Sequence, residues 1–121
     1  MNSQEIVQSF LNSYYQAMMN DRESLLNFYT EESCFSYERS EHKGLQAIGE
    51  KLSSFSFKKI NYNFDDYDVQ PSPVSGGLVI CVVGQLQLDG SDNFNFSQIF
   101  QLVPNGSGGY YLHNDIFRLV Q

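Results

Sequence analysis

The stretch GLVICVVGQLQLD, residues 77–89, is rich in Val, Ile and Leu, and apolar residues stand at every second position over most of its length. A repeat of two residues is typical of a β-strand. Three further runs share this pattern: KKINYNFDDYDVQ (58–70), FNFSQIFQLVP (94–104) and GYYLHNDIFRLV (109–120). The turn sequences PSPVSGG, DGSDN and PNGSGG separate the four runs. Because these connections are short, the second half of the chain is predicted to form an antiparallel meander.

The first half of the chain has helical spacing instead. Apolar residues recur three and four positions apart over residues 6–19, which predicts an amphipathic helix of about four turns. NDRESLLNFY (20–29) predicts a second, shorter helix, and LQAIGEKLSSF (45–55) a third. Between them, SCFSYE (33–38) is typical of a short strand, and HKG (42–44) is typical of the turn after it.

Helices followed by strands predict an α+β fold, and the length predicts a single domain over residues 1–121. We expect three N-terminal helices packed in a strongly curved antiparallel sheet, which forms a cone with a hydrophobic cavity. The last run has apolar residues at both its even and its odd positions, which point to opposite faces, so both faces of the sheet should be covered. The face without helices would expose apolar side chains, and a homodimer through the two sheets would cover it.

The composition excludes several classes of function. Fourteen acidic and seven basic side chains give a formal net charge of −7, and no basic cluster is present to neutralise the phosphates of a nucleic acid. No apolar stretch approaches the roughly 20 residues of a membrane-spanning helix, and no secretory signal is visible. Cys34 and Cys81 are interpreted as reduced, packed thiols, because they lie in apolar strands with no cationic residue nearby. No Cys/His spacing resembles a zinc site. We therefore expect no metal and no cofactor.

The last run contains polar residues that invite a catalytic interpretation. His113 and Asp115 are two positions apart and would share a strand face, so an acid/base pair is conceivable. A buried, hydrogen-bonded structural pair is the favoured alternative. Asn114, Asp115 and Arg118 are expected to form a satisfied buried network that holds the strand against the helices.

Acidic residues close to aromatic residues point to binding instead. Glu38 follows Tyr37, and Asp89 and Asp92 precede Phe94 closely. If the strands curl, these segments meet at the rim of one apolar pocket, which would suit a basic peptide or loop with an aromatic anchor. The alternative is an ordinary core with acids on the surface, and composition and spacing leave both interpretations open.

Six segments together resemble the nuclear transport factor 2 family over residues 6–120, in the family's order and nearly its spacing. They are FLNSYYQAMMNDRESLLNFYTEESCFSYE, GLQAIGEKLSSFSFKKI, QPSP, VVGQLQLD, FSQIFQLVPNG and YYLHNDIFRLV. The resemblance implies a non-enzymatic, homodimeric carrier that binds the small GTPase Ran in its GDP form. It also implies passage through nuclear pores by contact with the phenylalanine-glycine (FG) repeats of nucleoporins, with the protein concentrated at the nuclear envelope.

The resemblance further implies which residues bind Ran. Acids at the rim pair with basic residues of Ran, and they fall here on Glu38 and Asp89. The family's third rim acid falls on Ser91, and Asp92 is its nearest substitute. An aromatic residue from switch II of Ran enters the cavity. The wall of this cavity would comprise Tyr37, Phe55, Ile60, Tyr62, Phe94, Ile116 and Phe117. The family's aromatic residue for nucleoporin binding falls on Ser3.

Two other functions remain open from the sequence. The wider fold family includes ketosteroid isomerase-like enzymes, so a small-molecule enzyme or binder could use the cone, with His113 and Asp115 or a tyrosine as acid and base. A dimerisation scaffold would need no rim residues, so changes at the rim would then have no effect.

Overall fold

The computed structural model describes residues 2–120, and within them every side chain except those of residues 64 and 65. The helices are α1 (Ser3–Asn20), a 3₁₀ helix (Arg22–Phe28) and α2 (Gly44–Ser53). The strands are β1 (Cys34–Tyr37), β2 (Ser40–Lys43), β3 (Ile60–Pro71), β4 (Leu78–Leu88), β5 (Phe94–Pro104) and β6 (Tyr110–Val120). The α+β prediction, with helices before a curved sheet, is confirmed. The second predicted helix is of the tighter 3₁₀ type.

The six strands lie in one sheet in the order β2-β1-β6-β5-β4-β3. Strands β3 to β6 pair antiparallel with their neighbours in sequence, as the short turns predict. The sheet is mixed, however, because β1 pairs parallel with β6. The predicted all-antiparallel sheet is corrected at this one pairing. No short turn connects β1 to β6, so the sequence between them does not dictate their relative direction.

The segment HKG (42–44), predicted as a turn, belongs instead to the end of β2 and the first position of α2. The turn lies earlier, at Glu38 and Arg39, whose φ angles are 50° and 80°. Two successive residues with positive φ form a tight hairpin turn that suits the twist of β-strands. Since neither residue is Gly, Asn or Asp, the local sequence does not signal this turn.

Helix α1 covers the inner face of the sheet. Its first turn is fixed by a reciprocal cap, in which the Asn2 side chain accepts from the Glu5 amide and the Glu5 carboxylate accepts from the Asn2 amide. Its apolar stripe is buried: Val7, Phe10, Leu11, Tyr14, Tyr15 and Met18. None of the helices in residues 2–120 combines the length and the apolar character that a bilayer crossing requires.

Strand β6 contains a bulge at His113. Leu112 pairs with Leu102 and Asn114 pairs with Gln101, so His113 is an extra residue between two paired positions. A bulge shifts the alternation of side chains by one position. Leu112 therefore faces inward before the bulge, and Asp115 and Phe117 face inward after it. This explains why both parities of the strand carry apolar residues.

The outer face of the sheet is apolar and uncovered. Exposed side chains on it include Val83 (48%), Ile99 (39%), Ile116 (40%) and Val120 (48%). Ile99 and Ile116 are direct cross-strand neighbours. The prediction that this face exposes apolar side chains is confirmed.

Candidate functional site

An apolar pocket lies between α1 and the inner face of the sheet, towards one end of the strands. It contains a cavity of about 20 Å³. Side chains from α1, from the five strands β1, β3, β4, β5 and β6 and from the α2–β3 connection line it, and all but Gln98 are aromatic or aliphatic. They are Tyr14, Met18, Phe35, Tyr37, Phe55, Phe57, Ile60, Tyr62, Leu86, Leu88, Gln98, Phe117 and Leu119.

Strand register brings the aromatic residues of this pocket together. Tyr37 on β1 lies beside Phe117 on β6, and their rings stack with centroids 5.1 Å apart and an interplanar angle of 4°. Phe117 in turn stacks on Phe96, at 5.7 Å, and Phe96 meets Tyr62 edge to face at 5.5 Å. Such aromatic pairs stabilise their arrangement beyond the area that they bury. The strand side of the pocket is therefore a continuous row of rings.

The opposite side of the pocket is formed by the connection between α2 and β3. Phe55 and Phe57 are half-buried there and stack on each other at 5.1 Å. Phe55 also contacts Tyr37, at 4.8 Å. Two cations lie over these rings: Lys51 Nζ is 5.0 Å from the Tyr37 centroid, and the Arg22 guanidinium is 4.4 Å from the Phe57 centroid. Each contact has cation–π geometry.

Glu38 lies at the edge of this pocket, immediately after Tyr37. Its amide donates a hydrogen bond to the Phe117 carbonyl (3.1 Å), and its carboxylate accepts one from the Leu119 amide. The side chain is exposed to solvent. The carboxylate is therefore held next to two lining residues, with lone pairs still available to a cation.

Asp89 lies at the edge beside the lining residue Leu88 and also has a positive φ, 47°. Its carboxylate accepts hydrogen bonds from the amides of Lys58 (3.0 Å) and Lys59 (2.8 Å). Its own amide donates to the Lys59 carbonyl (2.8 Å). Hydrogen bonds from amides orient a carboxylate without neutralising its charge. Both Glu38 and Asp89 thus present negative charge directly after residues that line the pocket, Tyr37 and Leu88.

Asp92 lies in the same turn as Asp89 and is exposed. The hydroxyl of Ser91 donates to the Asp92 carbonyl (2.9 Å) and accepts from the Leu88 amide (3.2 Å), which fixes the backbone of this turn. Ser91 itself, at the position of the third rim acid in the family, acts here as a structural bridge.

Five of the seven predicted cavity residues line the pocket: Tyr37, Phe55, Ile60, Tyr62 and Phe117. Phe94 has the inward parity and lies opposite Leu86, but it is 41% exposed and is not part of the lining. Ile116 faces outward, so its predicted place in the cavity wall is wrong. The bulge at His113 is the reason, because it sets Phe117, and not Ile116, in phase with the inner face.

Sequence reasoning missed several lining residues. Leu119 is two positions after Phe117, and Phe57 is two positions after Phe55. Extending the alternation of the last run would have identified Leu119. Phe57 carried no such signal, because it lies between a helix and a strand. Gln98 alternates with Phe96 and Phe100, but the sequence does not show that its polar side chain is buried.

Beneath the pocket lies a buried polar network centred on Asp115. Its Oδ2 accepts from the hydroxyls of Tyr14 (2.8 Å) and Tyr29 (2.6 Å), and its Oδ1 accepts from Gln98 Nε2 (2.7 Å). Burial raises the pKa of the Asp115 carboxyl to about 6, although hydrogen bonds from Tyr29, Gln98 and Tyr14 oppose the rise. Tyr15 completes the network by donating to Gln98 Oε1 (2.9 Å). The polar atoms at the floor are thus already engaged with one another.

The network differs from the predicted one in its other members. Asn114 accepts from Gln101 Nε2 (2.7 Å), and Arg118 is exposed on the outer face, because alternation places both opposite to Asp115. His113 does not belong to it either: its Nδ1 is buried with no hydrogen-bond partner among the described residues. The conceivable His113–Asp115 acid/base pair therefore has no direct hydrogen bond to support it.

Among the side chains that the structure describes, no three His, Cys, Asp or Glu are grouped so that they could hold an ion. The chemistry that the described site can support is the burial of an apolar group next to negatively charged side chains.

The sequence and the fold were compared with those of known proteins, and the matches identify the family of this chain. Residues 6–119 match the model of the nuclear transport factor 2 (NTF2) domain. Nuclear transport factor 2 of Emericella nidulans is 39% identical over 118 residues, which cover 97% of this chain and 94% of that protein. The protein of the same name from Saccharomyces cerevisiae is 38% identical over 115 residues, 94% of this chain and 91% of that protein. The structure of nuclear transport factor 2 from Cryptosporidium parvum superposes with a TM-score of 0.92 at 32% identity, covering 97% of this chain and 94% of the other.

Proposed function

Because the chain belongs to the nuclear transport factor 2 domain family, we propose that it is a non-enzymatic nuclear transport carrier that binds the GTPase Ran in its GDP form. The observation that carries the proposal is the apolar, aromatic-lined pocket with the carboxylates of Glu38 and Asp89 at its edge. An aromatic side chain of Ran enters this pocket, and basic residues beside it meet the two acids.

The pocket and the acids contribute differently to binding. Burying an inserted Phe side chain is worth roughly 1.5–3 kcal/mol. An exposed ion pair contributes about 0–1 kcal/mol, and more only when docking removes it from water. The pocket therefore supplies most of the affinity, while Glu38, Asp89 and Asp92 orient the partner and accelerate encounter.

Selectivity for the GDP form follows from shape. Switch segments of GTPases change order and position with the γ-phosphate. A pocket and a rim that fit the switch II arrangement of one nucleotide state leave aromatic and basic groups of the other state unpaired.

We also propose that the carrier is a homodimer, formed through the outer face of the sheet. Val83, Ile99 and Ile116 lie on neighbouring strands there and are each exposed by 39–48%. An uncovered apolar face is a liability for a lone chain, and a two-fold axis through this face would bury it in two copies at once. The rim acids border the pocket on the inner face and stay free in such a dimer.

Contact with the FG repeats of nucleoporins completes the proposed cycle and places the protein in cytoplasm and nucleus, concentrated at nuclear pores. Ser3, at the exposed start of α1, stands where the family has an aromatic residue. We expect weaker repeat binding than in a chain with that aromatic residue, and Ser3→Trp should strengthen it in a titration with an FG-repeat peptide.

The test of the proposal is a calorimetric titration with Ran loaded with GDP or with a non-hydrolysable GTP analogue. We expect saturable binding of the GDP form, at least about tenfold tighter than binding of the GTP form, a difference of about 1.4 kcal/mol. Equal binding of the two forms, or binding of neither, would overturn it.

One observation favours a small-molecule binder or enzyme as the alternative: the buried carboxyl of Asp115 and two tyrosines beneath an apolar pocket. The hydrogen bonds among these groups already occupy them, which makes this alternative the weaker one. A dimerisation scaffold is the third possibility, and it predicts that changes at Glu38 and Asp89 have no effect on partner binding.

A further inference from the structure

The connection between α2 and β3, residues 54–59, carries Phe55 and Phe57 over the pocket; we call it the lid. We propose that Arg22 and Asp89 latch this lid closed, and that a partner's basic residue, by engaging Asp89, releases it so that the aromatic side chain can enter. This inference rests on the proposed function for the identity of the partner, but not for the existence of the lid.

The size of the cavity requires a movement. A cavity of about 20 Å³ has room for about one water molecule. A dry cavity that accepts benzene has a volume of about 150 Å³. An aromatic side chain therefore cannot enter the pocket while its walls remain where they are.

The lid is the wall best able to move. On the strand side, Phe117, Leu86 and Ile60 are 4%, 2% and 4% exposed and belong to paired strands. Moving any of them would break the hydrogen bonds of the sheet. Phe55 and Phe57 are only half-buried, and residues 55–57 belong to no helix or strand. Segments of this kind open at a lower free energy than core strands.

Two groups of opposite charge hold the lid in place. Arg22 Nη2 donates to the carbonyls of Phe57 (3.0 Å) and Lys58 (3.2 Å), and its guanidinium covers the Phe57 ring. Asp89 accepts from the amides of Lys58 and Lys59. The Arg22 cation thus binds the carbonyls of residues 57 and 58, and the Asp89 anion binds the amides of residues 58 and 59. Hydrogen bonds to charged groups are the stronger kind, so these contacts set the closed state.

Asp89 therefore has two competing sets of partners. Its carboxylate binds the lid amides in the free protein, and the proposed function gives the same carboxylate to a basic side chain. An incoming ammonium or guanidinium group draws the carboxylate towards itself and weakens the amide contacts. Binding of the basic group at Asp89 and opening of the lid are then coupled. A partner with an aromatic side chain but no basic residue beside it would not open the lid and would bind poorly.

Benzene is a probe that reports on the lid without any partner. We would titrate it into the protein with 13C-labelled methyl groups and follow Ile60 and Leu86, which line the pocket. The wild type should show weak, barely saturable shifts. Arg22→Gln, which keeps both lid rings and removes the cation, should bind benzene about tenfold more tightly, and Phe57→Ala more tightly still. Arg39→Gln makes the same charge change at an exposed residue next to the rim and should match the wild type.

The second arm uses Ran-GDP, with association rates measured for the same variants. Relative to Arg39→Gln, Arg22→Gln should associate several-fold faster, because it has lost a latch. If Arg22→Gln and Arg39→Gln admit benzene alike, or if the wild type already admits it as well as Phe57→Ala does, the lid inference is wrong. If Ran-GDP binds no variant, the proposed function fails, while the benzene titration still decides whether the lid exists.

Discussion

The two faces of the sheet are both rich in apolar side chains, yet they differ in what surrounds those side chains. Neighbouring residues on β6 show the contrast: Phe117 faces inward and is 4% exposed, while Ile116 faces outward and is 40% exposed. The inner face is concave and covered by α1, and the carboxylates of Glu38 and Asp89 directly follow two of its pocket residues. The outer face offers Val83, Ile99 and Ile116 without a cover.

The comparison teaches that one set of strands can serve two kinds of recognition. A pocket edged by charges selects a partner that carries a ring beside a cation. An exposed apolar face without a pocket selects by area and shape, and a second copy of the same chain supplies both. Four substitutions, taken from the largest expected effect to the smallest, test whether the two faces act independently.

Phe117→Ala tests how much the inner face contributes to stability. Removing a buried ring that stacks on Tyr37 and Phe96 should lower the free energy of unfolding by about 3–5 kcal/mol. Urea unfolding at one fixed protein concentration measures the effect. Val120→Ala, at a position that is 48% exposed on the same strand, should cost less than about 1 kcal/mol. Equal costs for the two variants would mean that the faces do not differ in packing.

Ile116→Asp tests the outer face. Because a two-fold interface contains position 116 of both copies, the substitution places two carboxylates in it. The dissociation constant of the dimer should therefore rise about 1,000-fold, a loss of about 4 kcal/mol of binding free energy. Light scattering after gel filtration should show a monomer, whereas Ser107→Asp, in an exposed turn, should remain a dimer. The monomer should keep its affinity for Ran-GDP, since pocket and rim belong to one chain. A dimeric Ile116→Asp protein would place the interface elsewhere.

Glu38→Lys tests the rim. Charge reversal beside the opening, together with loss of the acceptor for the Leu119 amide, should weaken Ran-GDP binding about 100-fold, or about 2.7 kcal/mol. The dimer should persist on gel filtration. Glu41→Lys makes the same charge change at an exposed position of β2 and should weaken binding only slightly. Retained affinity in Glu38→Lys would show that the rim assignment is wrong.

Asp115→Asn tests the polar floor of the inner face. Burial raises the pKa of this carboxyl to about 6 from 3.8, so the folded state favours the protonated form. The stabilisation from this group is complete below about pH 4 and is lost as pH rises through about 6, an effect of about 3 kcal/mol. Asparagine cannot ionise, so the stability of the variant should fall less between pH 4 and pH 7. Asp21→Asn makes the same substitution at the exposed end of α1, outside the network, and is the matched control.

Periodicity was sufficient to predict the meander of β3 to β6, because each run is long and bounded by turn residues. It could not predict the parallel pairing of β1 with β6, which depends on contacts between distant parts of the chain. The family resemblance placed seven residues at the cavity, and five of them line the observed pocket. Ile116 was misplaced because a bulge has no signature in composition; only the pairing of Leu112 with Leu102 and of Asn114 with Gln101 reveals it.

The fixed carboxylates illustrate a second limit. The Asp89-Gly90 pair does indicate a turn with positive φ, but nothing in the local sequence indicates one at Glu38. Neither letter reveals the amides from which the two carboxylates accept hydrogen bonds. Those contacts arise from strands that meet only in the folded chain. The latch between Arg22 and Phe57 is likewise a product of tertiary structure, since 35 positions separate the two residues.

The extra residue at position 113 has a consequence for how this protein tolerates change in length. Deleting His113 would leave Leu112 opposite Leu102 and Asn114 opposite Gln101, so β6 would lose its bulge and keep its pairing. Asp115 and Phe117 would still face inward, and Ile116 outward. The chain can therefore lose this one residue, with its unpartnered Nδ1, without interchanging the two faces of the sheet.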